Sequence, residues 1–183
     1  MKVIVIYESM FGNTRRIAEA IMAGLRDGNE ALLLPVGLAR PDVMAGADVV
    51  VVGGPTHVHG MSRASTRKSA AEMARKPGAT VALDQDAEGP GVREWLTQLS
   101  TGSLRAAAFD TRMSGPAIFT GRASLSISRE LRRRGCTVIA KPESFLVTKT
   151  NELRPGEEDR ARRWGRQLAS HLAAAGTSPV SSG

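Results

Sequence analysis

The stretch that decides the fold is residues 3–14, VIVIYESMFGNT, in which an apolar run is followed by a short polar loop. The run VIVI predicts a buried strand, and Thr14 opens an amphipathic helix in which Ile17, Ile21 and Leu25 recur every four positions. In this arrangement the N–H groups of the loop and of the first helical turn point at one place, where the helix dipole favours an anion. The stretch therefore predicts a phosphate site.

The side chains of the loop indicate what kind of phosphate it takes. Ser9 and Thr14 offer hydroxyls, Asn13 offers an amide, and Gly12 allows a positive φ or a close backbone approach. No lysine completes the pattern GxxxxGK[ST], which excludes a nucleoside-triphosphate loop, and no GxGxxG indicates a dinucleotide.

The length and composition favour one domain over residues 1–176, followed by a disordered tail at 177–183. The chain has 183 residues, of which 42% are hydrophobic and 4% aromatic, so its core is expected to be aliphatic. The single cysteine, Cys136, excludes an intrachain disulfide and fits a reducing compartment. No apolar stretch approaches the roughly 18 residues of a membrane span, and the expected location is the cytoplasm.

The charge is strongly basic, with a formal net charge of +7 and a pI near 10.5. This reflects either a compositional bias of the genome or a basic face for an acidic or phosphorylated partner. The arginine-rich helices carry no interleaved aromatic residues for base stacking, which disfavours nucleic acid as the partner. The basic residues form three clusters: residues 63–76, residues 129–134 and residues 160–166.

Helix and strand patterns alternate along the chain, which predicts an α/β fold with a doubly wound parallel sheet and helices on both faces. The Gly53-Gly54-Pro55 sequence is expected to end the third strand, and Pro142 to interrupt the fifth. The predicted strands span residues 2–7, 31–35, 48–52, 105–109 and 137–147. The main predicted helices span residues 14–26, 64–75, 90–99, 122–134 and 156–175.

Three polar, glycine-rich loops are expected to meet at one edge of this sheet. In a parallel sheet the carboxyl ends of all strands lie at the same edge, and ligands bind there. The loops after the first, third and fourth strands are residues 8–13, 54–61 and 110–121.

In these features the sequence resembles the flavodoxin-like family. The resemblance implies a five-stranded sheet of order 2-1-3-4-5 and a bound flavin mononucleotide, FMN. Its implied phosphate loop comprises Ser9, Met10, Phe11, Gly12, Asn13 and Thr14. The implied second flavin loop comprises Pro55, Thr56, His57, Val58, His59 and Gly60. The implied third loop begins with Asp110, Thr111 and Arg112.

The chain departs from the family's usual pattern in three respects. It is basic rather than acidic, and no Trp or Tyr is placed to stack on the flavin, so the ring would meet His57, His59, Met61 or Phe119. The lost stacking predicts FMN binding weaker by about 0.5–1.5 kcal/mol. About 50 residues separate the third and fourth strands, and the inserted part within residues 61–91 is a lid, a partner surface or a structural elaboration.

Three functions are compatible with this sequence. The resemblance favours an FMN-binding electron carrier that serves a redox partner protein, slightly ahead of an FMN-dependent oxidoreductase that uses a small-molecule acceptor of the quinone type. The third is a module that holds little flavin and binds an acidic partner through its basic surface. The sequence shows no metal-ligand spacing and no nucleophile motif, and it indicates neither a catalytic residue nor an oligomeric state.

Overall fold

The computed structural model describes residues 1–57, 59–99 and 104–176, and it consists of strands alternating with helices. The strands are β1 (Lys2–Tyr7), β2 (Glu30–Pro35), β3 (Val49–His57), β4 (Gly60–Met61), β5 (Arg105–Met113), β6 (Thr137–Val138) and β7 (Glu143–Val147). The helices are α1 (Asn13–Leu25), α2 (Pro41–Met44), α3 (Ala64–Ala74), α4 (Val92–Gln98), α5 (Ala117–Thr120), α6 (Ala123–Arg133) and α7 (Glu157–Gly176). The tail at 177–183 lies outside the described residues.

The sheet is parallel and has the order β2-β1-β3-β5, with β6 and β7 both paired to the outer side of β5. Among the described strands, the short β4 is the antiparallel one, and it pairs with the end of β3. The predicted order 2-1-3-4-5 is confirmed, because β6 and β7 together make up the fifth predicted strand. Its two parts are separated at residues 139–142, which agrees with the predicted interruption at Pro142.

Two apolar layers cover the two faces of the sheet, as the alternating pattern predicts. Side chains of β1 alternate between the layers: Val3 and Val5 pack with α1 and α7, and Ile4 and Ile6 pack with α4 and α6. The first layer also holds three of the few aromatic residues, Phe109, Phe145 and Trp164, which meet edge to face at centroid distances of 6.3–6.5 Å. No helix of the described ranges is long and apolar enough to cross a membrane.

The prediction that Gly53-Gly54-Pro55 ends the third strand is wrong, because β3 continues to His57. Gly53 lies so close to the ring of Phe109 that an added Cβ would sit 2.2 Å from its carbon atoms, so only glycine fits there. The Gly53 carbonyl accepts from the Glu8 N–H on the β1 side. The nitrogen of Pro55, two residues further along, faces the same side of β3. There β1 has already ended, so no carbonyl of β1 lacks a donor because proline has no N–H.

The fourth predicted strand is also longer than expected, and one helix starts later. β5 runs on through Asp110, Thr111 and Arg112 to Met113, because β7 pairs with this extension. The three residues expected to begin the third loop therefore belong to a strand. Helix α4 begins at Val92 with Gly91 as its N-cap, so Pro90 lies before the helix.

Candidate functional site

A cleft lies at the carboxyl edge of the sheet, where four segments of the chain meet. Three of them follow or end β1, β3 and β5, as predicted, and the fourth follows β7. Its walls are formed by Met10, Phe11, Asn13, Thr14, Pro55, Thr56, His57, Thr111, Arg112, Met113, Val147, Thr148, Lys149 and Asn151. None of these lining residues is acidic.

The first loop is held by hydrogen bonds from its own side chains. Gly12 has a left-handed backbone, φ 85°, and caps the start of α1. Its N–H donates to Ser9 Oγ at 3.1 Å, which leaves the Ser9 hydroxyl proton available to a ligand. Thr14 Oγ1 shares a hydrogen bond of 2.7 Å with Thr111 Oγ1, and Asn13 Nδ2 donates to the Asn151 carbonyl at 2.7 Å. These bonds join the first loop to β5 and to the segment after β7.

The most informative feature of the loop is a set of backbone N–H groups without an acceptor. Among the described residues, no acceptor is found for the six N–H groups of residues 9–11 and 13–15. Four of these residues, Ser9, Met10, Asn13 and Thr14, are nevertheless buried. Residues 13–15 form the first turn of α1, whose N–H groups have no acceptor within the helix, and together with the N–H groups of residues 9–11 they fit an anionic ligand.

The inserted segment 61–91 packs against the first loop. The Met10 carbonyl accepts from the Asp84 N–H at 2.8 Å, and Arg15 Nε lies 3.3 Å from Asp84 Oδ2. The Met10 side chain packs with Ala71 and Ala87 of the segment. The segment therefore holds the first loop in place by backbone, charged and apolar contacts.

A buried polar network ties the same segment to the end of β1. Glu8 accepts hydrogen bonds from the Ser62 hydroxyl and, at 2.8 Å, from the Val92 N–H. Arg67, itself buried, donates to Ser62 Oγ at 3.0 Å and pairs with Glu94 at 3.1 Å. Burial raises the pKa of the Glu8 carboxyl above its ordinary value, against the opposing effect of these donors. The network fixes the position where the first loop leaves the sheet.

The residues of the predicted second loop divide between the cleft and a neighbouring recess. Pro55, Thr56 and His57 form one wall of the cleft, and burial, with a smaller contribution from Arg67, lowers the pKa of the His57 imidazole. His59 is exposed, with φ 70°, and lies with Gly60 in the recess next to the cleft. Val58 lies outside the described residues.

Of the three residues that were expected to begin the third loop, two line the cleft. Thr111 and Arg112 line it, and Arg112 Nη1 donates to the Gly115 carbonyl at 2.9 Å and to Thr120 Oγ1 at 2.8 Å. The Arg112 Nε–H is buried and has no acceptor among the described residues.

Asp110 is not among the residues that line the cleft. It is 0% exposed, and its Oδ2 accepts from the Ser124 N–H at 2.6 Å in the first turn of α6. Thr56 Oγ1 likewise accepts from the Ala123 N–H at 2.9 Å. Both side chains therefore cap α6. Burial raises the pKa of the Asp110 carboxyl, although its hydrogen bonds oppose the shift.

One set of residues at the cleft is not predicted from the sequence. Thr148, Lys149 and Asn151 follow β7, and the rule that all parallel strands end at one edge would have included them. The predicted loop 110–121 also forms an apolar rim beside the cleft, where Met113 is 48%, Ile118 81% and Phe119 73% exposed. The described residues contain no group of three His, Cys, Asp or Glu side chains that could hold a metal ion.

Solved structures of flavodoxins share this architecture at low sequence identity. A flavodoxin from the domain Archaea is 20% identical, with a TM-score of 0.65 and coverage of 94% of this chain and 99% of that one. Flavodoxin 1 from Bacillus cereus is 18% identical, with a TM-score of 0.64 and the same coverage. The rubredoxin oxygen:oxidoreductase of Desulfovibrio gigas is 18% identical, with a TM-score of 0.63, over 97% of this chain and 37% of the larger protein.

These likenesses establish the fold of the chain as flavodoxin-like. No protein-family model matches the sequence, and neither does any curated protein. The order of the strands, their parallel direction and the cleft at their carboxyl ends agree with that fold.

Proposed function

We propose that the protein is an FMN-binding redox protein that holds the flavin non-covalently in the cleft and transfers electrons through it. The observation that carries this proposal is the set of six unpaired N–H groups around the first loop, four of them on buried residues. They form the kind of donor array that a phosphate monoester requires. FMN, when bound, supplies the electron storage.

The hydroxyls and cations around the loop would complete the phosphate site. Ser9 can donate its hydroxyl proton, and the Thr14–Thr111 pair has one proton left after its mutual bond. Lys149 and the buried Nε–H of Arg112 lie in the same cleft and would offset the negative charge of FMN, on its phosphate or on its reduced ring. With no acidic side chain in the lining, nothing there repels an anion.

The wall opposite the loop would hold the flavin ring. Pro55, His57 and Met113 provide flat or polarizable surfaces there, and no Trp or Tyr is among the lining residues. Because burial lowers the pKa of His57, this side chain is neutral at physiological pH and can pack on an aromatic edge without bringing a charge.

The exposed rim favours the electron carrier over the oxidoreductase. Ile118 and Phe119 project into solvent beside the cleft, and Met113 belongs both to the rim and to the cleft wall. Exposed apolar residues of this size mark contact surfaces for proteins. A partner protein docking on them would approach the flavin edge directly.

An absorption spectrum of the purified protein, before and after adding FMN, tests the proposal. We expect the spectrum of oxidised flavin after reconstitution and removal of free FMN. A protein that stays colourless after reconstitution would overturn the proposal and favour the module that binds an acidic partner. Loss of the yellow colour on adding a nicotinamide cofactor alone would identify the oxidoreductase rather than the carrier.

A further inference from the structure

A second recess adjoins the cofactor cleft, and His57 belongs to the walls of both. It lies between the end of β3 and the start of α3 and has a volume of about 400 Å³. No acidic residue is among those that line it. The polar side chains of its lining are His57, His59, Arg63, Ser65, Thr66 and Arg93.

Arg93 is held rigidly in the wall of this recess. Its Nε donates to the Ser62 carbonyl at 3.0 Å, and its Nη2 donates to the Met61 carbonyl at 3.0 Å. These two bonds fix the plane of the guanidinium, while Nη1 has no acceptor within the described part of the chain. A preorganised guanidinium loses little conformational entropy when it binds an oxyanion.

Arg63 brings a second positive charge, and neither arginine is neutralised. Most other arginines near the insertion are paired: Arg15 with Asp84, Arg67 with Glu94 and Arg75 with Glu88. By contrast, Arg63 and Arg93 form no ion pair with any described carboxylate. Thr66 fixes the backbone of Arg63, because its Oγ1 accepts from the Arg63 N–H and donates to the Arg63 carbonyl, both at 2.9 Å.

We propose that this recess binds a small organic anion whose carboxylate or phosphate group lies between Arg63 and Arg93. Two guanidinium groups without an ion pair, a hydroxyl from Ser65 and two imidazoles supply donors and positive charge without a competing acid. The proposal goes beyond the carrier function, which requires no small-molecule site. Because His57 also lines the cleft, the anion would lie against the wall that we assign to the flavin ring.

The three histidines of the chain allow a direct test by NMR without any flavin. The imidazole resonances are followed while inorganic phosphate is added in one series and malonate in another. We expect saturable shifts of the His57 and His59 signals and a rise in the pKa of His57, while His171 on α7 stays unchanged. A response to phosphate alone identifies a phosphate ligand, and a response to malonate alone identifies a carboxylate ligand.

Variants distinguish this recess from the first loop. Arg63→Gln, at an exposed position, should weaken the binding monitored at His59 at least tenfold, and Arg93→Gln should do the same. Arg163→Gln on α7 is the matched control and should bind as the wild type does. The double variant Ser9→Ala/Thr14→Ala should retain the His59 response, because that residue lines the recess and not the cleft.

The results of these titrations test the anion site independently of the proposal that the cleft binds FMN. A His59 signal that does not respond to either anion, or a response that survives both Arg63→Gln and Arg93→Gln, would overturn the anion site whatever the flavin result. Binding that disappears in Ser9→Ala/Thr14→Ala would also overturn it, because the anion would then occupy the first loop. A normal anion response in a protein that ignores FMN would overturn only the flavin proposal.

Discussion

The replacement Gly53→Ala tests the close approach that lets β3 continue past its two glycines. An ideal Cβ on Gly53 would lie 2.2 Å from Cε1 and Cζ of Phe109 and 2.4 Å from Cε2. Ordinary contacts between carbon atoms are about 3.5–4.0 Å, so the ring or the strand would have to move by more than about 1 Å. Phe109 cannot retreat freely, because Phe145 and Trp164 pack against it at centroid distances of 6.4 and 6.5 Å.

The expected cost follows from this overpacking. Overfilling a packed core typically costs about 1–3 kcal/mol, whereas replacing glycine by alanine in a strand gains roughly 0.5–1 kcal/mol in backbone entropy. Gly54→Ala is the matched control, since its Cβ would meet Val92 Cγ2 at 3.6 Å and Glu8 Cβ at 3.7 Å. The entropy gain is common to both variants, so the difference between their free energies of unfolding should be about 1–3 kcal/mol.

Urea and thermal unfolding, followed by circular dichroism, measure this difference. At this chain length about 1 kcal/mol corresponds to roughly 2–4 °C in Tm, so Gly53→Ala should melt about 2–12 °C below Gly54→Ala. In a Phe109→Leu background the cost of Gly53→Ala should shrink, because the smaller side chain leaves room for the methyl group. Equal stability of the two alanine variants, or an unchanged cost in that background, would refute the reasoning.

Four further predictions concern three titratable or charged side chains at the edge of the sheet. Asp110→Ala should cost about 1 kcal/mol of stability in urea unfolding, because the Ser124 N–H loses its capping acceptor, whereas Asp110→Asn keeps an acceptor and should cost less. Burial raises the pKa of Asp110, so the stability that it contributes should fall as pH rises above its ordinary pKa, and a pH series of Asp110→Asn should lack this fall. Because burial lowers the pKa of His57, the free energy of unfolding should fall as the pH drops below about 6.5. Urea unfolding at a series of pH values should show a smaller fall in His57→Asn. Arg112→Gln should lower the reduction potential of bound FMN by the equivalent of about 1 kcal/mol, because the arginine favours the anionic reduced flavin. A redox titration measures this change, and an unchanged potential would place Arg112 away from the ring.

Most of the fold could be predicted because the apolar patterns are local and strong. The run VIVI before a polar loop, the four-residue spacing from Ile17 to Leu25 and the alternation of strands with helices each follow from the residues themselves. The ends of β3 and β5 could not be predicted, because they depend on pairing with distant strands. Local rules predict that the strand breaks at Gly53. In the structure the buried ring of Phe109, 56 positions along the chain, packs on Gly53, so this position of β3 requires a glycine.

The location of the candidate site was predictable, because the carboxyl ends of parallel strands lie at one edge of the sheet. Sequence reasoning placed Ser9, Gly12 and Thr14 in a loop that the structure confirms as lying at the carboxyl edge of the sheet. It placed Asp110 in a loop at the same edge, but side chains alternate along a strand, and the extension of β5 turns Asp110 towards α6 while Thr111 shares a bond with Thr14. Which way the Asp110 side chain points therefore depends on whether β5 extends as far as this residue.

The central claim is that the first loop holds the phosphate of FMN, and the ratio of the affinities for FMN and riboflavin measures it most directly. Flavin fluorescence quenching gives both dissociation constants for the wild type, for Ser9→Ala/Thr14→Ala and for the control Ser170→Ala on α7. A hydrogen bond to a charged group contributes about 1.5–3 kcal/mol, so the double variant should lose at least about tenfold in FMN affinity and little in riboflavin affinity. Equal losses for both ligands, or a wild type that binds FMN no better than riboflavin, would contradict the claim.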